Sequence, residues 1–139
     1  MNADGIQGFS VSPDGSRLAL VAFFRPKDGP EQRVIMTVAA SGGLPTEISR
    51  PKQMARDVFW SKDGRHLIWA TKPQVEGQRN ELFSIPAEGG EPQPFGLELN
   101  DVKFLDLSSD GAHLVFTDQH PQNSLWVMKI PPQAPSATR

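Results

Sequence analysis

Phe9–Phe23 reads FSVSPDGSRLALVAF: a short apolar segment, a turn signal, then a longer apolar segment. The pattern returns as Val58–Thr71, VFWSKDGRHLIWAT, and again as Leu105–Thr117, LDLSSDGAHLVFT. Three copies of one hairpin in 139 residues make this a repeat protein. Ser12-Pro13-Asp14-Gly15 explains the turn. Proline presets φ at the first central position, aspartate caps its own backbone, and glycine takes the site that needs positive φ.

Working outward from this hairpin, Gly5–Ser12 alternates apolar residues as a strand does, and Leu18–Phe24 is a near-continuous apolar run. Such a run predicts a strand covered on both faces. The polar loop Arg25–Gln32 leads to a third strand at Val34–Ala39, a Gly42-Gly43 turn and a short fourth strand at Thr46–Ser49. The second copy predicts strands at Asp57–Ser61, Leu67–Thr71, Glu81–Ile85 and Gln93–Leu97, and the third at Val102–Leu107, Leu114–Thr117 and Leu125–Ile130. The spacing is regular. Asp14, Asp63 and Asp110 stand 49 and 47 residues apart, and Gly42 and Gly89 are 47 apart. Leu18, Leu67 and Leu114 share one place in the unit, as do Ile35, Leu82 and Leu125. The length variation falls in the polar loop between the second and third strands. No heptad or 3.6-residue pattern argues for a helix.

Composition narrows the function classes. Lys and Arg number 14 against 16 Asp and Glu, with no basic stripe, so no nucleic-acid partner is expected. Cysteine is absent, which removes disulfide and thiolate chemistry. The 12 glycines and 13 prolines fall at regular turn positions, as punctuation does. No apolar run nears the roughly 20 residues of a membrane span, so no membrane insertion is expected. The opening MNADGIQGF lacks the basic and apolar regions of a signal peptide, so an exported parent protein would need its targeting segment elsewhere.

No catalytic set emerges. His66 and His113 occupy the repeat place of Arg17, just before the second strand's leucine, and His120 stands alone in a loop. No metal-ligand spacing results. Each Asp-Gly turn offers one carboxylate, where a calcium loop needs several oxygens close together. There is no G-x-S-x-G elbow, and no Lys-Ser/Thr or helix follows the Gly-Gly pairs. Trp60, Trp69, Trp126 and the eight phenylalanines lie at strand positions, where core packing accounts for most of them.

A period of roughly 40–50 residues with four short antiparallel strands suits a β-propeller blade. The copies resemble the TolB-type, WD-like β-propeller repeat of bacterial proteins. Trp60-Ser61-Lys62-Asp63-Gly64, Leu82-Phe83-Ser84-Ile85 and Gly89-Gly90-Glu91-Pro92 carry the resemblance best, and Leu125-Trp126-Val127-Met128 matches the third strand. Lys62 and Ser109 depart from the pattern where it has the turn proline, and the third copy lacks the Gly-Gly turn and fourth strand. The expected fold is all-β: one blade at residues 5–49, a second at 54–97, an incomplete third at 100–131, and a disordered Pro-rich tail at 132–139. Three blades close no ring. The chain is therefore expected to be the C-terminal part of a longer propeller, or half of a homodimer that completes a six-bladed ring. Alone, it would bare apolar blade faces and unpaired edges.

Up-and-down strands put the Asp-Gly and Gly-Gly turns at one end of each sheet. The varied loops and the links between blades lie at the other end. There stand Arg25, Lys27, Asp28, Lys52, Arg56, Asp57, Lys72, Arg79, Asn100, Asp101 and His120. Loops on a rigid frame are where binding usually resides. Arg25, Lys27, Arg56, Asp57, Lys72, Arg79, Asn100 and Asp101 are the candidate partner-binding residues. The resemblance implies a non-catalytic module, without cofactor or metal, that binds a protein or peptide partner, and it implies a periplasmic setting. The alternatives it leaves open are the gating propeller of a prolyl-oligopeptidase-like serine peptidase and a carbohydrate- or metabolite-binding propeller.

Overall fold

The computed structural model describes residues 2–100, 102–118 and 124–130, and every regular element among them is a β-strand. Strands β1 (Gly5–Val11), β2 (Arg17–Phe24), β3 (Gln32–Ala39) and β4 (Thr46–Ser49) form one antiparallel sheet in chain order. Strands β5 (Ala55–Trp60), β6 (His66–Thr71), β7 (Asn80–Pro86) and β8 (Gln93–Leu99) form a second. Strands β9 (Val102–Leu107), β10 (His113–Asp118) and β11 (Ser124–Lys129) form a three-stranded third. The first two sheets make one compact unit, Met1–Asp101, and the third belongs to another, Val102–Arg139. Each strand begins and ends within two residues of its expected place. The expected tail at 132–139 lies outside the described residues.

The three Asp-Gly hairpins are built atom for atom alike. Ser12, Ser61 and Ser108 each donate from Oγ to the aspartate two residues on. Each serine Oγ also accepts the backbone N–H of the residue that opens the next strand, Arg17, His66 or His113. Each aspartate Oδ1 accepts a second backbone N–H, from Ser16, Arg65 or Ala112. Gly15, Gly64 and Gly111 take φ values of 74°, 71° and 68°, where an L side chain is strained. Serine and aspartate together satisfy the turn's backbone donors, so the hairpin forms even where lysine or serine replaces proline.

Sheet packing within the first unit follows from pairing register. Residues opposite one another on neighbouring strands share a face. Ala19, Val21 and Ile35 of the first sheet meet Val58, Trp60, Leu67, Trp69 and Ile85 of the second in one buried cluster. Each buried aliphatic side chain contributes roughly 1.5–3 kcal/mol. Trp69 stacks on Phe83 with centroids 5.6 Å apart. Gly8 lets the two inner strands approach closely, since a Cβ there would stand 3.3 Å from the Arg56 carbonyl oxygen. Polar groups pin the same junction. Trp60 Nε1 donates to the Ser10 carbonyl at 3.2 Å, and buried Arg33 donates to that of Ala55 at 2.7 Å. The Arg17 guanidinium lies 4.9 Å from the centre of the Trp60 ring and pairs with Glu88 at 2.8 Å.

The two-sided burial expected of the second strand differs between copies. In β6, all of Leu67, Ile68, Trp69, Ala70 and Thr71 are buried. In β2, Ala19 and Val21 are buried on one face, whereas on the other Ala22 is buried but Leu18 and Leu20 are only half-buried. The outward face of the first sheet has less to cover it.

Candidate functional site

Each inner strand carries a β-bulge at one repeat position. Ile6 and Gly8 pair with the consecutive residues Ala22 and Val21, so Gln7 is the extra residue. Ala55 and Asp57 pair with Thr71 and Ala70, so Arg56 is extra. In the third sheet Val102 pairs with Asp118 and Leu105 with Phe116, which places Lys103 and Phe104 against Thr117. Gln7, Arg56 and Lys103 each stand seven residues before the turn aspartate. A bulge turns its side chain out of the ladder, and such residues recur beside functional sites. Sequence reasoning picked out Arg56 but missed the shared device. The common offset from Asp14, Asp63 and Asp110 was the signal available.

The candidate residues do not gather into one site. Arg25 is held by its own hairpin: Nε donates to Glu31 at 3.1 Å, and the guanidinium sits 4.7 Å from the centre of the Phe23 ring. Glu31 bridges onward to Arg33 at 3.0 Å. The hydrogen bond from Arg33, more than that from Arg25, holds the Glu31 carboxyl below its ordinary range. Lys27 and Asn100 are exposed. Arg56 and Asp57 are half-buried and pair with each other at 3.1 Å. Asp101 and His120 lie outside the described residues.

Lys72 and Arg79 do come together. With Lys52 they line a cleft of about 140 Å³ between the link from β4 to β5 and the loop from β6 to β7. Gln53, Pro73, Gln74 and Gln78 complete its walls, and Thr71 and Glu81 stand at its root. The loop is anchored at both ends. Buried Asn80 donates from Nδ2 to the Thr71 carbonyl at 2.7 Å, and Thr71 Oγ1 accepts the Glu81 N–H at 3.0 Å. The Lys72 N–H donates to the Met54 carbonyl at 2.7 Å, which ties the two walls together. At the tip, Gln78 Oε1 accepts the Gln74 N–H at 3.0 Å, and Gly77 turns with φ 85°. Arg79 pairs with Glu98 at 3.1 Å, both side chains largely exposed. An exposed pair of this kind is weak and exchangeable.

Three cations and three side-chain amides against one carboxylate, Glu81, suit an anionic or amide-bearing ligand segment. Among the described residues, no three His, Cys, Asp or Glu side chains group so as to hold a metal ion. At the turn end of each sheet, the aspartate is held below the ordinary carboxylate range. Asp14 is lowered to about 2, mainly by hydrogen bonds from the Ser16 hydroxyl and N–H, then by Ser12. Asp63 and Asp110 are lowered chiefly by the Ser61 and Ser108 hydroxyls.

Solved structures similar to this chain are propellers. TolB from Agrobacterium tumefaciens aligns with a TM-score of 0.62 at 20% identity, over 88% of this chain and 42% of that one. TolB from Acinetobacter baumannii gives 0.65 at 15%, over 92% and 30%. The β-propeller domain of the Trilobed protease from Pyrococcus furiosus, which has an open velcro topology, gives 0.64 at 14%, over 93% and 40%. The chain thus spans less than half the length of each. Likeness at these identities is likeness of fold: TolB and peptidase propellers share it with this partial propeller. No curated protein matches the sequence. The family model for the lipoprotein LpqB β-propeller domain matches residues 1–130. Three serine-aspartate hairpins, the antiparallel sheets they open and this near-complete match together place the chain in the LpqB β-propeller domain family.

Proposed function

We propose that the chain is a non-catalytic propeller module that binds a protein or peptide partner through its loop end. The cleft lined by Lys52, Lys72 and Arg79 is the contact point, and carboxylates of the partner are its ligands. The observation behind this reading is the gathering of three cations on two anchored walls. Arg25, Lys27, Arg56, Asp57 and Asn100 extend the same end of the sheets as a polar rim. An envelope setting accords with the lipoprotein in the family's description.

The test is a peptide array probed with the labelled chain, followed by fluorescence polarisation on the peptides retained. Acidic peptides should be enriched, and their affinity should fall with added salt, as screening requires. The double variant Lys52→Glu with Lys72→Glu should weaken them about tenfold or more, a loss of roughly 1.4 kcal/mol. Equal retention of neutral and acidic peptides, or an unchanged affinity in the double variant, rejects the assignment.

A further inference from the structure

Aspartate precedes glycine five times in the chain: Asp4-Gly5, Asp14-Gly15, Asp28-Gly29, Asp63-Gly64 and Asp110-Gly111. Every such pair has one reaction open to it. The glycine nitrogen can attack the aspartate side-chain carbonyl carbon, because glycine carries no side chain to block that approach and leaves the backbone free to rotate into line. A C–N bond forms, the C–OH bond of the protonated carboxyl breaks, and the hydroxyl leaves as water with the proton of the amide. The product is a cyclic succinimide. Hydrolysis at its main-chain carbonyl takes up one water and leaves the chain linked through Cγ, an isoaspartate. No oxidant or reductant is needed.

Four of the pairs are held out of that geometry. Oδ1 of Asp14, Asp63 and Asp110 accepts a serine hydroxyl and a backbone N–H in each hairpin. The N–H groups of Gly15, Gly64 and Gly111 donate back to the Ser12, Ser61 and Ser108 carbonyls at 2.9, 2.9 and 2.8 Å. Nucleophile and electrophile are thus each engaged elsewhere, and both sets of bonds must open before they meet. The same bonds keep the three carboxyls ionised, whereas the reacting form is protonated. Asp4 is tied down at the start of β1. Its N–H donates to the Phe23 carbonyl at 2.9 Å, its carboxylate accepts the Arg25 N–H, and Gly5 pairs with Phe23.

Asp28-Gly29 has none of these restraints. It lies in the loop between β2 and β3, where residues 25–30 are all exposed. Among the described residues its carboxylate has no hydrogen-bond or ion-pair partner. The turn over residues 26–29 is an open one, in which the Gly29 N–H lacks the closing bond that the hairpin glycines make. A Cβ on Gly29 would meet only Pro26, at 3.8 Å, so nothing crowds the rotation that brings nitrogen to Cγ. We propose that Asp28 is the isoaspartate-forming site of this chain, reacting through the Gly29 nitrogen while the hairpin pairs stay unreacted. The product inserts one methylene into the main chain of the loop and moves the carboxylate onto Cα. That α-carboxylate is the group an S-adenosylmethionine-dependent isoaspartyl methyltransferase esterifies: the methyl passes from sulfonium to carboxylate oxygen, and S-adenosylhomocysteine leaves.

The test is to age the folded chain at neutral pH in oxygen-18 water and follow each Asp-Gly pair by peptide mapping. Electron-transfer fragmentation separates isoaspartate from aspartate, and the heavy oxygen marks hydrolysis after ageing began. Isoaspartate should accumulate at Asp28 at least about tenfold faster than at Asp14, Asp63 or Asp110, because opening hydrogen bonds to a charged group costs that much in population. Methyl transfer from labelled S-adenosylmethionine by an isoaspartyl methyltransferase should fall on the same peptide. In guanidinium chloride the pairs should react at similar rates, since the restraints are gone. Gly29→Ala, which has room for its methyl group, should suppress the Asp28 product in the folded chain. A hairpin aspartate that reacts as fast as Asp28 in the folded chain overturns the proposal. So does an Asp28 that forms isoaspartate only when the chain is unfolded, or a product undiminished in Gly29→Ala.

Discussion

Arg33 on β3 reaches across to the backbone of β5 and donates from Nη1 to the Ala55 carbonyl at 2.7 Å. The guanidinium is buried and is balanced by Glu31 at 3.0 Å, so one side chain ties the first sheet to the inner strand of the second. Replacing it leaves a buried carbonyl without its donor. Arg33→Met should lower stability by about 1–3 kcal/mol, the cost of an unsatisfied buried group. Urea unfolding should show a lower midpoint with an unchanged slope.

At Gly8 the two inner strands approach closely. A Cβ would meet backbone there, not the end of a flexible side chain. Gly8→Val should cost about 1–3 kcal/mol through overpacking. Gly15→Ala, with nothing within 4 Å of its Cβ, should instead lose stability through backbone strain at φ 74°. Thermal melts of the two variants compare the mechanisms: a second-site Arg33→Met change should be non-additive with Gly8→Val, at the same junction, and additive with Gly15→Ala.

Trp69 is fully buried, and its Nε1 has no hydrogen-bond acceptor among the described residues. Phenylalanine preserves the stack on Phe83 and removes the orphaned N–H. Trp69→Phe should therefore stay within about 1 kcal/mol of the parent, whereas Trp69→Ala should lose about 3–5 kcal/mol. Calorimetric melting temperatures rank the two.

Acid should loosen the hairpins. The Asp14 carboxyl lies near pH 2 when folded, against an ordinary value of 3.8, because the folded turn's hydrogen bonds favour its charged form. A depressed folded value means that its contribution to stability is complete above the ordinary value and disappears as pH falls through the folded one. Asp63 and Asp110 shift in the same direction. The urea midpoint should drop between about pH 4 and pH 2. In Asp14→Asn the midpoint should be lower at neutral pH and the acid slope shallower.

The ion pair between Arg79 and Glu98 is exposed on both sides. Glu98→Gln should change stability by less than about 1 kcal/mol. It should also tighten acidic-peptide binding by releasing Arg79 to the cleft, readable as a lower Kd at low salt.

The hairpins were legible because each is local. Ser12, Asp14 and Gly15 sit within four residues, and their hydrogen bonds run to neighbours in the chain. The strands that follow declare themselves by apolar content. The repeat period then identified the blade, since only equivalent units space Asp14, Asp63 and Asp110 so evenly. By contrast, nothing near Arg33 in sequence foretold a bond to Ala55, and Lys52 and Lys72 meet only because Lys72 N–H is tied to Met54.

Residue order by itself determined the turns, the strands and their up-and-down pairing, because these depend on backbone preferences and contacts within one repeat. Which face of each sheet is covered, where the bulges push Gln7, Arg56 and Lys103, and which loop cations converge were decided only in tertiary structure. Those features depend on register and on the packing of one sheet against another. Both are set by side chains far apart in the chain that must share one volume.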